Sequence, residues 1–216
     1  RLKEQGIIKN NYFFGLYAII SGNDSKLQAG IYSLSPAMTI PEIIRKFVLG
    51  DVIKQKITIL EGWDIKDIEK YFVDEKIASA EDFKKALGKD YSDNFNFLKE
   101  KPKDISIEGY LFPDTYSVSL GEKTEDVVKL ILLNFNKKLN TGLREQIISQ
   151  NKTIFEVITM ASIIEKEVKS MDDKKIVAGI LWKRLKANMP LQVDATVNYI
   201  TNKNDRGVAI KDTKID

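Results

Sequence analysis

Residues 153–169 read TIFEVITMASIIEKEVK. The recurrence of apolar residues predicts a helix over 153–169. Wound at ~100° per residue, it gathers Ile154, Ile158, Ala161, Val168, Val157 and Ile164 into one arc of roughly 120°. Glu165 projects into that same arc, between Ile158 and Ala161. Ser162, Lys166 and Thr159 lie to one side, while Glu167 sits on another flank beside Met160 and Ile163, at the expected edge of a cleft. A helix with this pattern is expected to bury Glu165.

Burying a carboxylate among aliphatic groups disfavours its charged form, so such a residue needs a reason to persist. One reason is structural: an ion pair with Arg184 or another cation. The other is chemical, because a carboxylic acid that keeps its proton near neutral pH is what a general acid for glycosidic cleavage requires. The pattern alone leaves both open.

Composition narrows the chemistry. The chain has 216 residues, 43% of them hydrophobic, which is enough to fill a sizeable core and argues against disorder. Its 34 Lys plus Arg against 31 Asp plus Glu leave a net charge of +3 with no dense basic block, so no nucleic-acid partner is expected. Neither cysteine nor histidine occurs. Disulfides, thiol nucleophiles, Ser-His-Asp triads and imidazole or thiolate metal sites are thereby excluded. Acid–base work falls to carboxylates, lysines or tyrosines, and neither a metal nor a cofactor is expected.

No apolar run reaches the ~18 residues of a spanning helix. The stretch YFFGLYAII, from Tyr12 to Ile20, is too short and lacks the flanks of a secretory signal. The chain opens at Arg1 rather than Met. It is expected to be a portion of something longer, with a membrane anchor cut away upstream.

The organisation reads as α+β. NYFFGLYAIISG predicts a helix stopped at Gly22, LQAGIYSLS alternates as a strand, and TIPEIIRKFVLG predicts a helix with Thr39 as N-cap, Pro41 in its first turn and Gly50 at its end. DVIKQKITILEGW is the clearest strand, running through Ile57 and Ile59 to Glu61-Gly62, with a domain boundary near residue 54. Two helices follow, capped by Asp64 and by Ser79 in a box with Asp82, the second stopped at Gly88. After a loop-rich, aromatic stretch come a long helix from Thr124, the helix at 153–169 and a further one in DDKKIVAGILWKRLKANM.

Two alternating strips stand out. In EGYLFPDTY, residues Glu108, Tyr110, Phe112, Asp114 and Tyr116 share one side if extended, although Pro113 interrupts any ladder. Aromatic faces mixed with carboxylates suit sugars, whose C–H faces stack while hydroxyls take hydrogen bonds. The plainer reading is a hydrophobic turn packed on the core. In LQVDAT, residues Gln192, Asp194 and Thr196 face one way, and Asp194 equally suits a helix cap.

Taken together and in order, LEGW, EGYLFPDTY, ASIIEKE and RL…MPLQVDATV resemble the YceG-like endolytic murein transglycosylase family along the whole chain. The resemblance implies a small LysM-like βααβ module over residues 1–54, followed at 55–216 by a larger, mainly helical α+β catalytic domain with short strands. It implies an enzyme that cuts nascent peptidoglycan inside the glycan strand and leaves a 1,6-anhydro-N-acetylmuramic acid end. The family's catalytic glutamate maps onto Glu165. Glu108, Tyr110, Phe112, Asp114, Thr115 and Tyr116 are implied to line the glycan groove, with Gln192, Asp194 and Thr196 facing them and Glu167 at its edge.

Peptidoglycan strands are the implied partner, alongside penicillin-binding proteins. The implied location is the bacterial inner membrane, single-pass, with this portion on the extracytoplasmic side. Two family features are missing from these 216 residues: an N-terminal transmembrane helix, expected upstream of Arg1, and a Tyr-Asn-Thr-Tyr-like stretch with a Gly-Leu-Pro turn, expected after KDTKID. The isolated 216-residue chain is therefore expected to be weak or inactive, and strong release of anhydro-ended products by it would refute that. The rival from another class is a non-catalytic peptidoglycan-binding protein in which Glu165 is only an ion pair.

Overall fold

A computed structural model describes residues 2–194 of the chain. The chain forms two compact units. Within the described residues, one comprises the chain up to Ile59 with Ile68–Leu87 and Pro113–Ile131; the other comprises Leu60–Asp67, Gly88–Phe112 and the chain from Leu132. The architecture is α+β, with helices α1 to α8 and one sheet among the described residues.

Helices α1 (Asn11–Ile20) and α2 (Ile40–Leu49) follow their sequence signals closely. Asn10 caps α1 by accepting from the Tyr12 amide at 2.8 Å. Thr39 opens α2 with a capping box: its own amide donates to Glu42 Oε2 at 2.7 Å. Gly50 closes α2 at φ 62°, a left-handed conformation that costs other residues about 1 kcal/mol or more. Ile43 and Ile44 are buried on the inner face.

Strand β1 (Lys54–Thr58) pairs antiparallel with β2 (Thr115–Ser119), with Ile57 opposite Tyr116 and Thr58 opposite Thr115. The expected strand at LQAGIYSLS is absent. Those residues are linked by isolated bonds, Gln28 N to Phe47 O and Ile53 N to Ile31 O, and form no ladder. A strand needs a run of successive bonds to a neighbour, and these two bonds, to different segments, do not make one. No strand therefore precedes Lys54 among the described residues.

Helices α3 (Ile65–Asp74) and α4 (Ala80–Leu87) are capped as expected, Asp64 accepting from the Lys66 and Asp67 amides and Ser79 from the Asp82 amide. Their apolar faces meet through Phe72 and Phe83, fully buried with ring centres 5.0 Å apart. Then come α5 (Thr124–Lys138), α6 (Thr141–Ser149), α7 (Ile154–Glu167) and α8 (Met171–Lys186). Helix α6 was not expected from the sequence; its start is set locally by Asn140, whose Oδ1 accepts from the Leu143 amide at 3.0 Å.

Candidate active site

Helix α7 is anchored at its N-terminus by two glutamates. Thr153 and Glu156 form a capping box, Thr153 N donating to Glu156 Oε2 at 2.7 Å and Glu156 N to Thr153 Oγ1 at 3.1 Å. The Thr153 amide and hydroxyl, both donating to Oε2, hold the Glu156 carboxyl below its usual range. Glu100 accepts the Ile154 amide at 3.1 Å, satisfying another of the donors that a helix start leaves open. At the other end Val168 turns extended, and Ser170 starts α8 by accepting from the Asp173 amide.

The face that α7 buries differs from the one its periodicity suggested. Met160 and Ile164 join Leu181 of α8 in a buried cluster, with Ile163, Val168, Val177, Ala178, Trp182, Leu191 and Val193 packed against it. That face lies roughly 80° around the helix from the expected arc. Ala161 is exposed, and the Glu165 side chain is 39% exposed. The expectation of a buried, dry Glu165 is thus corrected. Its Oε2 instead accepts from Lys174 Nζ of α8 at 2.6 Å.

The strip at 108–116 is divided in its roles. Glu108 Oε1 accepts the Ile65 amide at the start of α3, at 3.2 Å. Tyr110 is a core residue, 1% exposed, with ring centres 5.7 Å from Phe97 and 5.2 Å from Phe135. Burial and the charge of Glu100 push its phenol up to about 12. Tyr116 is likewise buried, in β2. A buried ring cannot lie against a sugar, so for Tyr110 and Tyr116 the packed-core reading replaces the groove-lining one.

Phe112 is half-buried, with Lys138 Nζ 5.3 Å from its ring centre. Asp114 is half-buried and its Oδ1 accepts the Thr115 amide; Thr115 is exposed, its Oγ1 2.9 Å from that of Thr58.

One contact carries the loop to the helix that bears Glu165. Gly109 turns at φ 83°, and a Cβ there would sit 2.8 Å from Ile158 Cγ2, so the loop lies directly on that part of α7. Ile158 and Glu165 are seven positions apart, within ~20° of one another around the helix and about 10 Å along it. The loop at Glu108-Gly109, the open Ala161 and the Glu165 carboxylate therefore share one face of α7.

Past α8, Arg184 fastens the following segment. Its Nη1 donates to Leu191 O at 2.7 Å, Gln192 Oε1 at 3.1 Å and Pro190 O at 3.4 Å. Gln192 is held at φ 54°, unusual for a residue with a side chain. Arg184, weighed above as a partner for Glu165, is committed here instead. Glu167 ends α7, exposed. Asp194 is the last described residue, so its expected capping role and the placement of Thr196 lie outside the described residues.

Comparison with known proteins decides the family. The YceG-like family matches over residues 1–216. The chain belongs to the YceG-like family. An endolytic murein transglycosylase of Bacillus subtilis (strain 168) is 34% identical over all of this chain, which spans 62% of that protein. An endolytic murein transglycosylase of Streptococcus pneumoniae serotype 2 is 28% identical over all of the chain, which spans 43% of it. Among solved structures, a yceG-like protein from Listeria monocytogenes matches all of this chain and 74% of its own, at 28% identity and a TM-score of 0.64.

Two features of this YceG-like chain were not singled out from sequence. Lys174 is one: nothing in a linear reading shows that α8 folds back to bring residue 174 against residue 165. The other is a polar cleft of about 350 Å³ lined by residues including Asn94, Asn96, Asn136, Asn140 and Arg144, with Phe95 and Leu139 supplying its apolar part. Among the described residues, no group of carboxylates is placed to hold a metal ion, and no helix is long and apolar enough to cross a membrane.

Proposed function

We propose that the protein to which these residues belong is an endolytic lytic transglycosylase acting on peptidoglycan, with Glu165 as its acid and then its base. In this reading Glu165 protonates the oxygen bridging N-acetylmuramic acid to N-acetylglucosamine as the bond to C1 breaks. The resulting carboxylate takes the proton of the C6 hydroxyl while that oxygen closes on C1, leaving the 1,6-anhydro end. The sugar supplies the nucleophile, so no positioned water and no second carboxylate are needed.

The supporting observation is the shared face of α7: the 108–109 loop on Ile158, the open Ala161, and Glu165 beyond it. An exposed acid suits a polymeric substrate that has to lie down along the helix. Water is then excluded by the glycan itself when it covers Ile158 and Ala161, in place of the preformed dry niche expected from the sequence. Glu108 sits beside this face, next to Gly109; Phe112 lies three residues further along, and Gln192 in the segment held by Arg184. The same reading assigns residues 1–54 to a LysM-like module and residues 55–216 to the catalytic domain. It places the protein at the bacterial inner membrane, facing outward, beside penicillin-binding proteins.

The 2.6 Å contact with Lys174 favours a second reading, in which Glu165 is a structural ion pair in a peptidoglycan-binding protein. Mass spectrometry of glycan strands after incubation with the full-length protein separates the two. Lytic activity predicts anhydro-ended products that vanish in Glu165→Gln while fold and glycan binding persist. A binder yields no such ends with either protein.

A further inference from the structure

Lys174 stands in the first turn of α8, its side chain only 23% exposed, and its ammonium lies 2.6 Å from Glu165 Oε2. Two things make this contact more than an ordinary surface pair. The helix carrying Lys174 is locked to the helix carrying Glu165 by the Met160, Ile164 and Leu181 cluster, so both ends of the pair are on rigid supports. The contact also engages a defined oxygen of the carboxylate, Oε2. The neighbouring cations are disposed otherwise: Lys175 pairs with Asp172 at 3.0 Å, and Arg184 holds the segment at 190–192.

We infer that Lys174 is a positioning residue for Glu165 in the lytic reaction, an inference that rests on the function proposed above. By engaging Oε2 it fixes the side chain's rotamer and leaves Oε1 to face the glycan. With the glycan in place and a proton taken from solvent onto Oε1, Oε1 delivers that proton to the bridging oxygen as the electron pair of the C1–O bond moves onto that oxygen. The carboxylate left behind gains its charge beside a fixed ammonium, so the product of the first proton transfer is stabilised where it forms. Oε1 then accepts the C6 hydroxyl proton as the C6 oxygen bonds to C1. Glu165 is restored, and the net change is one proton moved from the C6 oxygen to the leaving oxygen.

The test compares Lys174→Met, Lys174→Arg and Glu165→Gln in release of anhydro-ended glycan, with kcat and KM measured separately and thermal unfolding as a check on fold. Lys174→Met should lower kcat roughly 10²-fold with KM little changed, and Lys174→Arg, which restores a cationic donor, should recover most of it. Wild-type kcat in Lys174→Met alongside an inactive Glu165→Gln overturns the inference and leaves the catalytic reading of Glu165 standing. A loss in Lys174→Met that Lys174→Arg fails to rescue, and that tracks lowered unfolding temperature, also overturns it. Full activity in Glu165→Gln removes both the inference and the reading beneath it.

Discussion

Helices α2 and α7 begin alike and bury themselves differently. Each opens with a threonine whose capping box closes on a glutamate three residues along, Thr39 with Glu42 and Thr153 with Glu156. In α2 the charged Glu42, Arg45 and Lys46 leave one obvious inner face, which holds the buried Ile43 and Ile44. In α7 apolar residues wrap much of the circumference, so periodicity does not choose between faces. The choice falls to the partner helix α8, which takes Met160 and Ile164 and leaves Ala161 and Glu165 in the open. A helix end is a local property, whereas the face of a mostly apolar helix is settled by what packs against it.

This contrast is sharpest on the two sides of α7, and the largest effect should come from its open side. Glu165→Gln should reduce release of anhydro-ended glycan by roughly 10²–10⁴-fold, while changing unfolding stability by no more than about 0.5 kcal/mol, as for other exposed positions. A comparable loss of stability would place Glu165 back in the core.

Next in size are the buried sides. Ile164→Ala in α7 and Ile43→Ala in α2 should each cost about 2–5 kcal/mol in denaturant unfolding. By contrast Ala161→Ser, on the open side of α7, should stay within about 0.5 kcal/mol. A cheap Ile164→Ala together with a costly Ala161→Ser would mean that α7 is rotated toward the face its periodicity suggested.

Smaller again are the two caps, where the helices should behave as equals. Thr39→Ala and Thr153→Ala should each lower stability by about 1 kcal/mol; a cap that matters in one helix alone would break the likeness.

The smallest effect is a pH dependence shared by both boxes. The Glu42 and Glu156 carboxyls are held below their ordinary value of 4.5 by hydrogen bonds from Thr39 and Thr153. A carboxyl depressed in the folded state binds protons more readily when unfolded, so its stabilising effect is complete above 4.5 and fades as pH falls through the lowered folded value. The unfolding temperature of the Glu42→Gln, Glu156→Gln double variant should therefore fall less steeply on acidification than that of the wild type.

What could be read in advance follows the same division. The caps at Thr39, Asp64 and Ser79, the stop at Gly50 and the strand through Ile57 depend on neighbours in sequence, and all are present. The strand expected at 27–35 required a run of bonds to one neighbour, and Gln28 and Ile31 make only isolated backbone bonds to Phe47 and Ile53. The alternation in EGYLFPDTY was real, yet Tyr110 and Tyr116 answer to aromatic and strand packing rather than to a ligand. Glu165 was marked by its position among aliphatic residues, while its exposure and its bond to Lys174 depend on the return of α8.

The absence of native cysteine allows the open face of α7 to be probed directly. Ala161→Cys, placed in the Glu165→Gln background so that bound strands are not cut, supplies a single thiol whose alkylation rate reports access. Labelling should be rapid in the free protein and strongly suppressed when peptidoglycan glycan strands are bound. Labelling that is equally fast with strands bound would contradict the claim that the glycan lies along this face.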